Sequence, residues 1–407
     1  MSPLSLLNFK LQGKKVLMRV DFNVPLKDGK ITNDERIQAA MPSIEYILEQ
    51  GCSLILMSHL GKPKGKIDPA FSLKPVAERL SELLNLSTGQ KVLMAKDCIG
   101  TDVETQAKEL KPGEILLLEN LRFHGAEEKP DTDPSFAKQL STLADVYVND
   151  AFGTCHRKHS STYTVVQYFK DKALMGFLIE KELKYLDQCI KDPKRPFYAI
   201  IGGAKLSSKI KVLSGLLDKV DELFIGGAMA YPFLKNEGIS LGKSLFEEGS
   251  EKIAKEILKK AQEKKVKINL PEDLVIADDF KNEAQIKIIS TKENKENIPE
   301  QYMGMDIGPK TAQNWKVKFL QAQTIFWNGP VGVFEMQNFM KGTQAVAESI
   351  ADSKAVSVIG GGDSVAAIAA LNLKEKFTHL STGGGASLEY LENGQLPCIE
   401  ALTKRDF

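Results

Sequence analysis

The chain has 407 residues, 43% of them hydrophobic and 26% charged, and 54 Lys plus Arg against 53 Asp plus Glu leave a net charge of +1. That length holds two or three domains with ample core, and the charge balance excludes a disordered chain and a whole-surface field for nucleic acid or an anionic membrane. Cys52, Cys98, Cys155, Cys189 and Cys398 are scattered with no Cys-x-x-Cys pair, which fits neither a disulfide framework nor a zinc knuckle. Apolar runs stay far below the roughly 18 to 20 residues that span a bilayer. Residues 1–14 offer no signal-peptide core, so the expected location is the cytoplasm.

Short apolar runs alternate with amphipathic stretches along the whole chain, the pattern of βαβ units around a parallel sheet. Residues 16–20 read as the first strand and end in Asp21-Phe22-Asn23. Arg36 stands just ahead of a helix whose stripe of Ile37, Met41, Ile44, Ile47 and Leu48 closes near Gly51. Strands 53–57, 92–95, 115–118 and 146–148 follow, apolar throughout and therefore covered on both faces. Ser58-His59-Leu60-Gly61-Lys62 follows one of them, and Glu119-Asn120-Leu121-Arg122-Phe123-His124 another. The last ends in Asn149-Asp150, with His156-Arg157 shortly after. Three arginines, a lysine and a histidine can meet on one edge there, and guanidinium grips a small polyanion bidentately. Singly, each such residue is ordinary solvated surface.

Residues 179–191 carry Leu183, Leu186 and Ile190 at helical spacing and stop at Asp192-Pro193 and Arg195-Pro196, so they read as a connector helix. Beyond it the plan repeats, with strands expected at 198–201, 222–225, 274–277, 324–327, 355–359 and 379–381, while 281–300 reads as a charged surface excursion. The fold class is α/β: two doubly wound, Rossmann-like parallel-sheet domains joined by a hinge helix.

Most strands of the second half run into small residues: Gly202-Gly203-Ala204-Lys205, Gly226-Gly227-Ala228, Asn328-Gly329-Pro330, Gly360-Gly361-Gly362-Asp363-Ser364 and Gly383-Gly384-Gly385. One such turn simply caps a strand. Several at one sheet edge let backbone N–H groups approach a phosphate, with helix N-termini behind them. Lys205 and Lys209, four apart near a helix start, are either a solvated face or a phosphate clamp. Asp363 is either an N-cap or a carboxylate for Mg²⁺ beside phosphate. The P-loop is absent, since Gly238 to Ser244 is one residue short, and Leu388 stands where a dinucleotide fingerprint needs its third glycine. No nucleophile elbow or Ser/His/Asp set points to hydrolysis.

Arg19-Val-Asp21-Phe-Asn23-Val-Pro25, His59-Leu-Gly61, Leu118-Glu-Asn-Leu-Arg122-Phe, Phe152-Gly-Thr-Cys-His156-Arg157, Gly202-Gly-Ala-Lys205, Phe326-Trp-Asn328-Gly-Pro-Val-Gly-Val-Phe-Glu335 and Thr382-Gly-Gly-Gly-Ala-Ser387 run in order over nearly the whole chain. Together they closely resemble the phosphoglycerate kinase family. The resemblance implies a first domain (1–178) for 3-phosphoglycerate or 1,3-bisphosphoglycerate, a hinge (179–195), a second domain (196–395) for MgADP or MgATP, and a tail (396–407) returning to the first. It places the glycerate on Asp21, Phe22, Asn23, Arg36, His59, Leu60, Gly61, Lys62, Arg122 and Arg157. The nucleotide falls to Lys205, Lys209, Gly304, Asn328, Glu335, Gly361, Gly362, Asp363 and Ser364, with Asp363 toward Mg²⁺. The catalytic groups it implies are Arg36, Lys205, Lys209, Gly362, Gly384 and Gly385. Two motifs depart from the family's usual form: its His-Leu-Gly-Arg ends here in Lys62, and its Ala-His-Arg-Ala reads Cys155-His156-Arg157-Lys158. The expected enzyme is a glycolytic kinase acting as a monomer, with small-molecule substrates and no nucleic-acid or membrane partner. A periplasmic-type solute receptor and a nicotinamide dehydrogenase are the rivals; the first needs a signal peptide, the second a glycine fingerprint.

Overall fold

The computed structural model describes residues 3–84 and 92–403. The chain divides into two compact units, one of 1–184 with 395–407 and the other of 185–394. The boundary falls inside the helix Phe177–Ile190.

The first unit is built on a seven-stranded parallel sheet in the order Leu4–Ser5, Ala173–Met175, Val146–Asp150, Lys15–Val20, Ser53–Met57, Ile115–Leu117, Leu93–Met94. Every residue of Ser53–Met57 and Val146–Asp150 is buried, as expected of strands with helices on both faces. The helix Glu35–Glu49 buries Ile37, Ala40, Ile44 and Ile47 against Val16, Met18, Leu54 and Leu56. Each large aliphatic side chain so covered contributes roughly 1.5–3 kcal/mol. Because the strands are parallel, all their carboxyl ends lie along one edge, and the strand order reverses around Lys15–Val20, which makes this edge the place for a ligand. The helix Pro397–Thr403 belongs to this unit, where the Cys398 N–H donates to the Cys155 carbonyl at 3.2 Å. Residues 404–407 of the expected returning tail lie outside the described residues.

The second unit has a six-stranded parallel sheet, Lys267–Asn269, Glu222–Ile225, Phe197–Ile201, Thr324–Asn328, Val356–Gly360, His379–Leu380. It also has a three-stranded antiparallel sheet, Ile286–Ser290, Asp273–Ala277, Met303–Ile307. That second sheet corrects two expectations. Strand 274–277 does not join the parallel sheet but pairs antiparallel, Val275 opposite Ile288, and part of the expected excursion at 281–300 is an edge strand. Ile286 and Ile288 are 42% and 57% exposed, so its outer face lacks the burial that marks the other strands. Among the described residues no helix is long and apolar enough to cross a membrane.

Candidate functional site

In the first unit the strand ends deliver Asp21, His59, Arg122 and Arg157 to the same edge, and Arg36 joins them from the first turn of its helix. Asp21 is nearly buried and pairs with the Arg36 guanidinium. The Asn23 side-chain oxygen accepts the Gly61 N–H at 2.8 Å, and the Gly61 carbonyl accepts from Arg122 Nη1 at 2.8 Å. Arg122 is 4% exposed and reaches Glu128 at 3.1 Å through Nη2, while its buried Nε has no partner among the described residues. Burial lowers the Arg122 pKa, and Arg19 and Arg157 press it the same way against the pull of Glu128. Guanidinium still keeps its charge at pH 7.

Residues the sequence reading left out hold this edge in place. Arg19 is wholly buried in the middle of an apolar strand, where Nε donates to Ser161 Oγ at 2.8 Å and Nη2 approaches His59 Nδ1 at 3.1 Å. A guanidinium only donates, so His59 Nδ1 is the acceptor and the ring proton sits on Nε2. Burial, then Arg19, Arg122 and Arg36, hold the His59 pKa well below that of a free imidazole. His159 is pushed down to about 3 by burial and then by Arg19, Arg122 and Arg157. Both rings are therefore neutral at pH 7. Under them Glu127 is fully buried, accepting the Ser161 N–H at 3.0 Å and the Ser161 hydroxyl at 2.7 Å, with Arg19 3.9 Å away. The one trace of this network in the sequence is a charged residue, Arg19, inside a strand of otherwise apolar character.

Two expected members turn their side chains into the core. Phe22 and Leu60 are 0% and 2% exposed and belong to the hydrophobic core, so their side chains pack rather than face a ligand. Their backbone is also engaged, Phe22 N–H with Ser58 Oγ at 2.8 Å and Leu60 N–H with Asn120 Oδ1 at 3.2 Å. Lys62 is solvent-exposed.

In the second unit the glycine turns share the carboxyl edge of the parallel sheet. The ends of Phe197–Ile201 and Thr324–Asn328 touch back to back: a side-chain carbon on Gly202 would fall 2.1 Å from the Pro330 carbonyl oxygen, and one on Gly329 2.3 Å from that of Gly202. Only glycine permits that approach. A cavity of about 280 Å³ opens beside them, lined by Gly203, Gly227, Gly304, Pro330, Glu335 and Asp363. Gly304 is there because a side chain would collide with the Tyr231 hydroxyl. On the same sheet edge, Lys209 donates to the Asn328 side-chain oxygen. Burial lowers the Lys209 pKa and the Asp363 carboxylate opposes that. Asn328 is 1% exposed, and its Nδ2 has no partner among the described residues. The Ser364 hydroxyl accepts the Gly329 N–H at 2.7 Å, tying two turns together. The helices Gly362–Ala370 and Gly385–Asn393 begin directly at their glycines, so the free N–H groups around Gly361, Gly362, Gly384 and Gly385 front this edge.

Two local expectations change. Lys205 and Lys209 do not share one α-helical face, because a 3₁₀ turn, Ser207–Lys209, intervenes and the α-helix starts at Ile210. Lys205 is exposed whereas Lys209 is half-buried. Gly361, not Asp363, caps its helix, leaving the Asp363 carboxylate exposed in the first turn. A single hard carboxylate beside a glycine cradle suits Mg²⁺, which takes one or two carboxylates and completes its shell with phosphate oxygens and water.

A sequence profile described as Phosphoglycerate kinase matches residues 6–394. The phosphoglycerate kinase of Chlorobium phaeobacteroides is 52% identical over 402 residues, covering 98% of each chain. That of Chloroherpeton thalassium is 53% identical over 394 residues and 96% of each. Among solved structures, phosphoglycerate kinase from Coxiella burnetii superposes with a TM-score of 0.88 at 41% identity, covering 99% of both chains. The enzyme from Pyrococcus horikoshii gives 0.84 at 35% identity and 98% coverage of both.

Proposed function

Because the chain belongs to the phosphoglycerate kinase family, and is thereby a glycolytic phosphotransferase, we propose that its first unit binds the glycerate substrate and its second MgADP or MgATP. Phosphoryl transfer between 1,3-bisphosphoglycerate and ADP is then direct and in line, once the two units close. The observation that carries this reading is a pair of buried donors left open, Arg122 Nε in one unit and Asn328 Nδ2 in the other. A buried donor without a partner costs about 1–3 kcal/mol, and phosphorylated substrates bring many acceptor oxygens.

In the ATP-consuming direction the acceptor is a carboxylate, with a pKa near 4 for such groups, so it attacks already ionised and no general base is needed. His59 accords with that role-free chemistry: it is neutral and held at Nδ1, so it offers an Nε2–H to an anion rather than removing a proton. Arg36 and Lys205 neutralise the transferring phosphoryl group, and Lys209 holds nucleotide phosphate. The N–H groups at Gly362, Gly384 and Gly385 meet the equatorial oxygens, where charge spreads as the bonds loosen. Glu335 takes the ribose, and Gly304 and Asn328 bound the nucleotide. Asp363 holds Mg²⁺, which when bound neutralises phosphate charge. The enzyme works as a cytoplasmic monomer. Closure expels the water that would otherwise hydrolyse the acyl phosphate. Small-angle scattering is expected to give a smaller radius of gyration with 3-phosphoglycerate and a non-hydrolysable ATP analogue together than with neither; an unchanged radius contradicts closure.

A further inference from the structure

The first unit carries a second group of ligand-type side chains, away from the arginines. After the strand Leu93–Met94 the chain bends through Asp97 and Cys98 before the helix Thr101–Glu109, and His124 caps the 3₁₀ turn Leu121–Phe123. His124 Nε2 lies 2.6 Å from Asp97 Oδ1, and its ring stacks on Phe136 with centroids 5.3 Å apart, which fixes where that nitrogen points. One ligand atom from each of Asp97, Cys98 and His124 lies within 4.8 Å of the other two. A tetrahedral zinc ion with bonds of about 2.0–2.3 Å sets its ligand atoms roughly 3.3–3.8 Å apart, so modest side-chain rotation admits the ion.

We propose that Asp97, Cys98 and His124 form a binding site for a thiophilic divalent cation of the zinc class, with water as fourth ligand. The donor set selects the metal: sulfur and imidazole favour Zn²⁺ and Co²⁺, whereas Mg²⁺ and Ca²⁺ require oxygen. Asp97 and His124 keep side-chain exposures of 42% and 29%, which gives the ion an entry and the water a place, while Cys98 closes the inner side. Binding forms a Zn–S bond in place of the S–H bond and releases that proton to solvent. The cation would link the 97–98 bend to the turn that carries Arg122, and it is distinct from any ion at Asp363, which lies in the other unit. Ligand spacing conceals the site in the sequence, because Cys98 and His124 are 26 residues apart (124 − 98).

The test is titration of the intact chain with Co²⁺, read by the near-ultraviolet charge-transfer absorption that only a thiolate ligand gives. Wild type and Cys189→Ser are expected to show the band and lose it when Zn²⁺ is added, but not when Mg²⁺ is. Cys98→Ser is expected to lack the band, and His124→Asn to weaken Co²⁺ binding at least about tenfold. His124 is partly exposed, so its variant folds whether or not the change at buried Cys98 is tolerated. No band in wild type, or a band unchanged in Cys98→Ser or in His124→Asn, overturns the proposal.

Discussion

Replacing Arg36 with alanine is expected to lower kcat on the order of 10²-fold or more, the scale of removing one preorganised electrostatic stabiliser. The side chain is 37% exposed but pairs with the nearly buried Asp21 carboxylate, so each variant's melting curve must separate loss of rate from loss of fold. On the proposed role, in which the residue acts on charge that develops during transfer, the KM for MgATP should hardly move while kcat falls. Arg36→Lys keeps the charge but not the planar fork, and should recover only part of the rate. Steady-state kinetics in both directions, with a melting curve for each variant, check this. An Arg36→Ala enzyme within a few-fold of wild type would remove the residue from the transfer step.

The second large effect is structural at its origin. Gly202→Ala puts a methyl carbon 2.1 Å from the Pro330 carbonyl oxygen and 2.6 Å from that of Gly329, and both neighbours are backbone at strand ends that cannot rotate away. Overpacking of this kind costs about 3 kcal/mol, which for a unit of this size lowers the melting temperature by roughly 10 °C. The turns must part, so nucleotide affinity should fall with stability. Gly362→Ala is the informative contrast. Nothing lies within 4 Å of a carbon added there, so the protein should melt as wild type does, and any fall in kcat then reports phosphate approaching that backbone. Calorimetry with ADP binding on both variants separates a packing glycine from a ligand-facing one.

The parallel sheets were legible because their strands are short and apolar on both faces, a pattern little else in a folded chain produces. Ile286–Ser290 was hidden for the opposite reason: it is an edge strand with a wet face, set among lysines and glutamates, and reads as surface. The motif residues Asp21, Asn23, His59 and Arg122 do gather, because each follows a strand whose end the parallel topology sends to one edge, and Arg36 joins them from the first turn of its helix. Sequence position could not say which members of a motif face inward. Phe22 and Leu60 alternate into the core beside residues that do not, and Arg19, Glu127 and Ser161 support the edge from segments far apart in the chain. The helical spacing of Lys205 and Lys209 misled for a simpler reason, since a 3₁₀ turn has three residues per turn and breaks the four-residue register.

The division of labour between the units is the claim on which the rest stands, and isothermal titration of two variants with each ligand tests it most directly. Arg122→Ala is expected to weaken 3-phosphoglycerate binding at least about tenfold and leave MgADP binding as in wild type, whereas Lys209→Ala should do the reverse, in line with the loss of one charged hydrogen bond of about 1.5–3 kcal/mol. Each variant's unaffected ligand also verifies that the protein is folded. An Arg122→Ala enzyme that binds 3-phosphoglycerate as tightly as wild type, or variants that weaken both ligands alike, would contradict the account.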